Sequence, residues 1–230
     1  MQIVWLGHSG FRIEIADQVL LVDPWITGNP MFDPARRREA LAGATAMLIS
    51  HGHSDHAHDA CDIARELTIP IAGIFDLVSH WERKHGVTVT GFNRGGTIRL
   101  GEVAVTMVSA THSSSWSGSE GPVYAGSESG FMIRGEGRTI YFSGDTDVMA
   151  DMAVFEELHH PEIGILCAGG HFTMDMERAA FAARRFFNFK TVIPCHYRTF
   201  PLLEQSAERM AAALPGVRVI EPQFLEPIRP

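Results

Sequence analysis

Three histidines and an aspartate stand within six residues of one another, directly after the apolar run 46–50; they are His51, His53, Asp55 and His56. The run predicts a buried strand, and the turn at its end is a rigid base that can direct several short side chains into one cleft. Neutral imidazole and carboxylate are the ligands of zinc, iron and manganese. Because side chains from so tight a loop splay apart, the pattern favours two neighbouring metal sites over one. His51 and His53 suit one site, and Asp55 and His56 suit the other.

The spacing of these residues is hard to attribute to chance. The chain has 12 histidines in 230 residues, so three at fixed positions arise at a frequency on the order of 10⁻⁴ per window, before the aspartate is required. The alternative interpretations are a polar surface loop that happens to be rich in histidine, or a helix N-cap.

Four further predicted strands are each followed by a histidine or an aspartate. The strands are 103–109, 139–143, 163–167 and 191–194, and the side chains that follow them are His112, Asp145, His171 and His196. A single histidine after a strand is commonly structural. Five coincidences, counting the first cluster, instead favour a shared site at one edge of a sheet, because strand ends that lie side by side bring such groups together.

Composition excludes several classes of protein. Charged residues make up 20% of the chain and hydrophobic residues 45%, which predicts a folded globular protein, and no repeat or linker divides the single expected domain, 1–230. The net charge of −8 disfavours a general nucleic-acid binder. Three widely spaced cysteines suggest neither disulfides nor a cysteine zinc site. Neither a signal peptide nor a membrane span is recognisable, so we expect a cytoplasmic protein.

The pattern of short strands and interspersed helices predicts an α/β protein with two sheets, and tight turns among the first three strands make an all-parallel sheet unsuitable. We expect helices over 57–67, 75–85, 173–187 and 206–214, the third of them capped by Thr173. The glycine-rich stretch 116–130 beside His112 is predicted to be a mobile loop, either a gate for substrate or a long surface connection.

The order of these motifs resembles the metallo-β-lactamase-fold superfamily over essentially the whole chain. The matching elements are His-x-His-x-Asp-His at 51–56, His112, Gly-Asp-Thr at 144–146 and His196. Leu-Gly-His-Ser at 6–9, Phe-Thr-Met at 172–174 and the segment 192–197 are similar to a branch of compact bacterial and archaeal metal-dependent hydrolases, near the ascorbate-6-phosphate lactonases. The resemblance implies an α/β (α+β) class fold, an αββα sandwich of two mixed β-sheets flanked by helices.

The resemblance also implies a set of ligands for two divalent metal ions at one edge of the sheets. The first metal is assigned His51, His53 and His112, the second Asp55, His56 and His196, and Asp145 bridges both. Zinc is the first expectation, with manganese and iron as alternatives.

The sequence departs from that branch at Gly169-Gly170-His171, where the branch has Gly-Asp-Asn. His171 has three interpretations: a proton donor or substrate contact, a residue that orients a ligand, or a structural residue. His8 either lies close to the metals or only packs a turn. Asp23 either accepts a hydrogen bond from a ligating histidine or caps the turn before a proline. Asp59 is assigned to the N-terminus of the following helix.

The expected activity is hydrolysis of a small ester, lactone or phosphodiester by a metal-bridged hydroxide, with Asp145, Asp55 and His171 in catalytic roles. The alternatives are a nuclease or phosphodiesterase acting on nucleic acid, a di-iron redox protein, an iron persulfide dioxygenase, and a metal-binding protein without catalysis. The expected partner is a small-molecule substrate, with self-association into a homo-oligomer as an open alternative.

Overall fold

A computed structural model describes all 230 residues and contains two seven-stranded sheets. The first sheet has the order β16-β1-β2-β3-β4-β5-β6. Its strands are β1 (Gln2–Gly7), β2 (Gly10–Ile15), β3 (Gln18–Val22), β4 (Ala46–Ile49), β5 (Ile71–Ile74), β6 (Val89–Phe92) and β16 (Pro227–Ile228). β1, β2 and β3 pair antiparallel, and β3 to β6 pair parallel. The sheet is therefore mixed, as the tight turns among the first strands predict.

The second sheet has the order β15-β14-β13-β12-β11-β8-β7 and is also mixed. Its strands are β7 (Thr97–Leu100), β8 (Val103–Ser109), β11 (Ser129–Gly135), β12 (Arg138–Phe142), β13 (Ile163–Cys167), β14 (Thr191–Cys195) and β15 (Arg218–Val219). Every residue of β13 and β14 is buried, as expected for parallel strands that are covered on both faces.

Helices lie outside the two sheets. They are a 3₁₀ turn (Pro34–Arg36), α1 (Arg37–Leu41), α2 (Ser54–Ala57), α3 (Ala60–Leu67), α4 (Phe75–His85), α5 (Met152–His159), α6 (Met176–Phe186) and α7 (Glu208–Ala213). The helix predicted from residue 57 is in fact two short helices that begin at Ser54. None of the helices is both long and apolar enough to cross a bilayer.

The predicted cap of the long helix α6 is wrong by two residues. Asp175, not Thr173, precedes the helix, and its side chain accepts a hydrogen bond from the backbone N–H of Arg178 at 2.8 Å. Thr173 Oγ1 instead donates to the carbonyl of Met174. An aspartate at this position both fills the acceptor role and favours the positive helix end.

The core lies between the two sheets as one cluster of 65 buried residues. Phe11 on β2 meets Phe142 on β12 edge to face, with ring centroids 6.2 Å apart, and Phe92 on β6 stacks on Phe131 of β11. Because each pair joins one sheet to the other, the architecture is the expected αββα sandwich.

The stretch 116–130 is not the irregular loop that its glycines suggest. Residues Ser115–Gly118 (β9) and Gly121–Tyr124 (β10) form an antiparallel hairpin, and Ser129 already belongs to β11. Glycines at its turn allow the tight reversal between the two strands.

Candidate metal centre

The residues predicted to share a site lie at one edge where the two sheets meet. Cys167 and Cys195 are register partners on the parallel strands β13 and β14, so the segments that follow them leave the sheet side by side. Two sets of hydrogen bonds join the sheets here: His196 N–H donates to the carbonyl of His8 at 3.0 Å, and Ser129 donates through N–H and Oγ to the carbonyl of Ser50. The edge therefore holds segments of both sheets in fixed relative positions.

One oxygen atom, Asp145 Oδ2, lies among four imidazoles. It is 3.1 Å from Nε2 of His196, 3.3 Å from that of His56, 3.6 Å from that of His112 and 4.0 Å from that of His51. Asp145 follows β12 through Gly144, whose φ is +58°, and a Cβ on that glycine would stand 2.3 Å from the carbonyl oxygen of Ser129. Only glycine fits this turn, which directs the carboxylate into the cluster.

The structure places the predicted ligands in two adjacent groups. The first group is His51, His53 and His112, whose candidate ligand atoms all lie within 4.8 Å of one another. The second group is His8, Asp55, His56 and His196, within the same limit. Asp145 stands between the groups, and the second group contains His8 in addition to the predicted residues.

The donor set fits divalent cations. Two ligands at about 2.1 Å from one cation, at tetrahedral angles, are about 3.4 Å apart, and the separations around Asp145 Oδ2 bracket that value. His56 Nε2 and Asp145 Oδ1 are buried and have no hydrogen-bond partner. Buried polar atoms seldom stay unpaired, and a cation bound between the groups would satisfy both.

Asp23 and Ser50 fix the orientation of one histidine from each group. Asp23 Oδ2 accepts from His56 Nδ1 at 2.7 Å and from Ser50 Oγ at 2.5 Å, while Asp23 Oδ1 accepts from Ser50 N–H. Ser50 Oγ in turn lies 3.0 Å from His51 Nδ1. With Nδ1 of both rings occupied, the Nε2 lone pairs face the cluster. The carboxylate thus contacts a ligating histidine directly, and Ser50 was absent from the prediction.

His8 contacts the centre rather than only packing its turn. Its Nε2 lies 3.0 Å from Asp55 Oδ2 and its Nδ1 lies 2.7 Å from Thr199 Oγ1. His8 therefore links Asp55 to Thr199. Thr199 lies 191 positions from His8, and no local pattern of the sequence indicates this contact.

The backbone is held in an unusual conformation at three of these residues. His8, Asp23 and His196 have φ values of 52°, 45° and 56°. The left-handed region costs a non-glycine residue about 1 kcal/mol or more. Its occurrence at three positions around one cluster indicates that the surrounding hydrogen bonds impose this geometry.

The acid–base properties of the two groups differ. Burial, followed by the positive charge of neighbouring imidazoles, holds the pKa of His51, His53 and His112 below the ordinary value, although Asp145 acts in the opposite direction at each. Burial also opposes charge on His196, but Asp145 and Asp55 overcome it and raise its pKa to about 9.

His8 and His56, the other imidazoles of the second group, differ from each other. Burial, followed by the positive charge of His196, lowers the pKa of His8 to about 4. Burial disfavours the charged form of His56, yet Asp145, Asp55 and Asp23 raise its pKa well above the ordinary value. Burial likewise disfavours ionised Asp145, but His196 and His56 hold its pKa well below the ordinary value. The carboxylates are therefore charged and available as ligands at neutral pH.

Two other predicted residues lie in different surroundings. His171 is exposed, packs against Phe172 and shares a hollow of about 210 Å³ with His112. It belongs to neither group of candidate ligands. Asp59 lies at the N-terminus of α3, as expected, but its side chain makes no cap hydrogen bond to that helix. Its Oδ2 instead accepts from the backbone N–H groups of Ile26 and Thr27 and so secures the loop after Asp23.

Comparison with known proteins gives consistent matches over this chain. The sequence model described as a beta-lactamase superfamily domain matches residues 18–197. A UPF0173 metal-dependent hydrolase of Dinoroseobacter shibae is 66% identical over 228 residues, and one of Paracoccus denitrificans is 63% identical, each alignment covering 99% of both chains. The solved structure of a metallo hydrolase from the archaeon Ignicoccus hospitalis is 28% identical with a TM-score of 0.85, covering 99% of this chain and 97% of that one.

Proposed function

Because the chain belongs to the beta-lactamase superfamily, among the metal-dependent hydrolases of the UPF0173 group, we propose that it is a binuclear hydrolase of small esters, lactones or phosphodiesters. The observation that carries this proposal is the position of Asp145 Oδ2 among four imidazole Nε2 atoms at 3.1–4.0 Å. A carboxylate between two groups of ligands is the arrangement that a pair of bridged cations requires.

Each group of side chains has a defined part in the proposal. His51, His53 and His112 would hold one cation, and Asp55, His56 and His196 would hold the other, with Asp145 within reach of both. Divalent cations bound there would lower the pKa of water toward about 7 and polarise a carbonyl or phosphoryl oxygen of the substrate.

The protein supplies orientation and proton transfer. Asp23 and Ser50 keep the Nε2 atoms of His51 and His56 directed at the cations. His171 shares a hollow with His112, and in this proposal it would donate a proton to the leaving group. The substrate is a small molecule, and the reaction needs no nucleophilic cysteine, because burial raises the pKa of Cys167 to about 12.

Metal content tests the proposal directly. Protein purified without chelator or affinity metal is measured by inductively coupled plasma mass spectrometry, and the metal found is then used to screen lactones, aryl esters and phosphodiesters. We expect about two equivalents of zinc, manganese or iron, and hydrolysis of at least one class of substrate.

The variant Asp145→Ala should retain less than one equivalent and lose activity by a factor on the order of 10³ or more. Asp151→Ala is the matched control, because Asp151 is exposed and its side chain makes no cap hydrogen bond. Protein without metal, and without a gain in melting temperature when zinc or manganese is added, contradicts the proposal. Bound iron with oxygen consumption and no hydrolysis would instead establish the redox alternative.

A further inference from the structure

A second cleft lies beside the metal centre and takes no part in holding the cations. It has a volume of about 410 Å³ and is enclosed by α3, α4 and the β9–β10 hairpin. Its size is in the range of pockets that hold small molecules. The side chains that give it its chemical character are His58, Arg65, His80, Lys84, His85 and Trp116.

The cleft is basic on a chain that is acidic overall. The net charge of the chain is −8, yet Arg65 and Lys84 line the cleft with three histidines, and the single acidic side chain of the lining is Asp62. Asp62 is largely exposed and pairs with Arg65 from the solvent side of α3. Burial, followed by the positive charges of the neighbouring Lys84 and Arg83, lowers the pKa of His80. The positive charges of Lys84 and Arg65 are the feature of the lining that favours an anion.

The cleft adjoins the metal centre. Ser54, Trp116 and Ser117 line both the cleft and a second hollow, of about 380 Å³, that reaches His53 and Asp55. A molecule of moderate size that extends over Trp116 would have one end beside His53 and Asp55 and the other beside the basic side chains.

The β9–β10 hairpin, which contributes Trp116 and Ser117 to the cleft, is held in place by two sets of contacts. The ring of Trp116 on β9 stacks on His80 of α4, with centroids 4.5 Å apart and an interplanar angle of 15°. At the base of the hairpin, Gly52 N–H donates to Ser114 Oγ at 3.1 Å, and a Cβ on Gly52 would stand 2.5 Å from Cβ of Ala125. The hairpin thus rests directly on the loop that carries His51 and His53, so its position is coupled to that of the ligands.

We propose that this basic cleft binds an anionic group of the substrate, a carboxylate or a phosphate, that lies beyond the bond cleaved at the metal centre. The proposal rests on the proposed function for the identity of the reacting end. In this proposal the preferred substrates are small organic anions. Lys84 and Arg65 orient the anionic group, and the ring of Trp116 forms one wall of the space it occupies.

The test is a binding measurement that does not depend on hydrolysis. The probe is 2-naphthalenesulfonate, because a sulfonate is a weak ligand of metals but keeps its negative charge. Its neutral counterpart is methyl 2-naphthyl sulfone, which has no ionisable N–H with which to bind a metal. Both are titrated against the full chain as purified with its metal, and binding is followed by fluorescence at low ionic strength, where charge effects are largest.

We expect the sulfonate to bind more tightly than the sulfone. The double variant Lys84→Ala, Arg65→Ala should raise the Kd of the sulfonate about tenfold, and that of the sulfone less than twofold. Arg94→Ala is the matched control, because Arg94 is exposed and lies outside the cleft. Melting temperature and metal content of each variant establish that it is folded and loaded.

Three results would overturn the proposal: no sulfonate binding below about 5 mM, equal affinity for the two probes, or a sulfonate Kd that the double variant leaves unchanged. The proposed function fails separately, through absence of metal from the same samples. If the chain binds metal but not the sulfonate, only the proposal of an anion-binding cleft is contradicted. If it binds the sulfonate but no metal, the proposed hydrolase function is contradicted.

Discussion

The two groups of candidate ligands share Asp145 but differ in chemical character. His51, His53 and His112 are three imidazoles without a carboxylate of their own, and the last two are partly open to solvent. Asp55, His56 and His196 combine oxygen and nitrogen, and both of their imidazoles are buried. One edge of the fold therefore offers a nitrogen-rich position and an oxygen-containing position within a few ångströms, and two cations bound there would differ in affinity or in element.

The largest expected difference in metal preference between the two groups is obtained by removing one candidate ligand from each in separate variants. We expect His53→Ala and Asp55→Ala each to lower the metal content by about one equivalent, but with different metals retained. The His53 variant keeps the oxygen-containing position and should hold manganese better, whereas the Asp55 variant keeps the three imidazoles and should hold zinc better.

Competition between zinc and manganese, read by mass spectrometry after dialysis, measures this preference. Each variant is the control for the other, because both substitutions change the same loop. Identical metal preferences in the two variants would show that the groups are equivalent and would remove the contrast between them.

A substitution at Asp23 should have a smaller effect that is shared by both groups of candidate ligands, because Asp23 contacts His56 directly and His51 through Ser50. We expect Asp23→Asn to weaken metal affinity about 10- to 100-fold at both positions, as is usual for residues that orient ligands. Chelator competition measures the two affinities. Asp151→Asn, at an exposed aspartate whose side chain caps no helix, should leave both unchanged. A loss confined to one position would mean that Ser50 does not carry the effect to His51.

The smallest expected effect is a dependence of stability on pH in the metal-free protein. The pKa of His196 is raised to about 9 from an ordinary value of 6.5, and that of His56 is raised as well. A raised pKa stabilises the folded state fully below about pH 6.5, and this stabilisation is lost as the pH rises through about 9. The lowered pKa values of His51, His53 and His112 act below pH 6.5 instead.

Chelator-treated protein should therefore lose about 5 °C in melting temperature between pH 6.5 and 9. Metal-loaded protein should lose less, because ligating imidazoles are already neutral. Differential scanning fluorimetry of both forms in the same buffers gives the comparison. A parallel decline of the two forms would assign the pH dependence to groups outside the second group of ligands.

The ligand groups were recognisable from the sequence because each member follows an apolar strand. Strand periodicity and a polar residue at the strand end are local signals. β12, β13 and β14 pair parallel, and β8 runs in the same direction because β8 and β12 both pair antiparallel with β11, so these four strands end at one edge of the second sheet. His51, His112, Asp145 and His196 were all selected this way, and the structure brings them together around one carboxylate oxygen.

Other features depend on contacts that no local pattern reports. Thr199 lies beside His8 across 191 positions of sequence, and Asp59 reaches Ile26 across 33. The hairpin over 115–124 was hidden because its serines and glycines are typical of irregular loops. The basic cleft could not be predicted either, because its charged side chains, Arg65 on α3 and Lys84 on α4, come together only in the folded chain.

The hydrogen bond from His196 to the carbonyl of His8 has a consequence for the order of events during synthesis. His8 is synthesised early, but its partner His196 follows β14, which is synthesised near the end of the chain. The group of Asp55, His56 and His196 therefore cannot form on a nascent chain that ends before β14. The loop at 51–56 emerges much earlier with its imidazoles unpaired. Such long sequence separation slows folding, and metal captured by the loop alone would be held through few ligands until the last parallel strand docks.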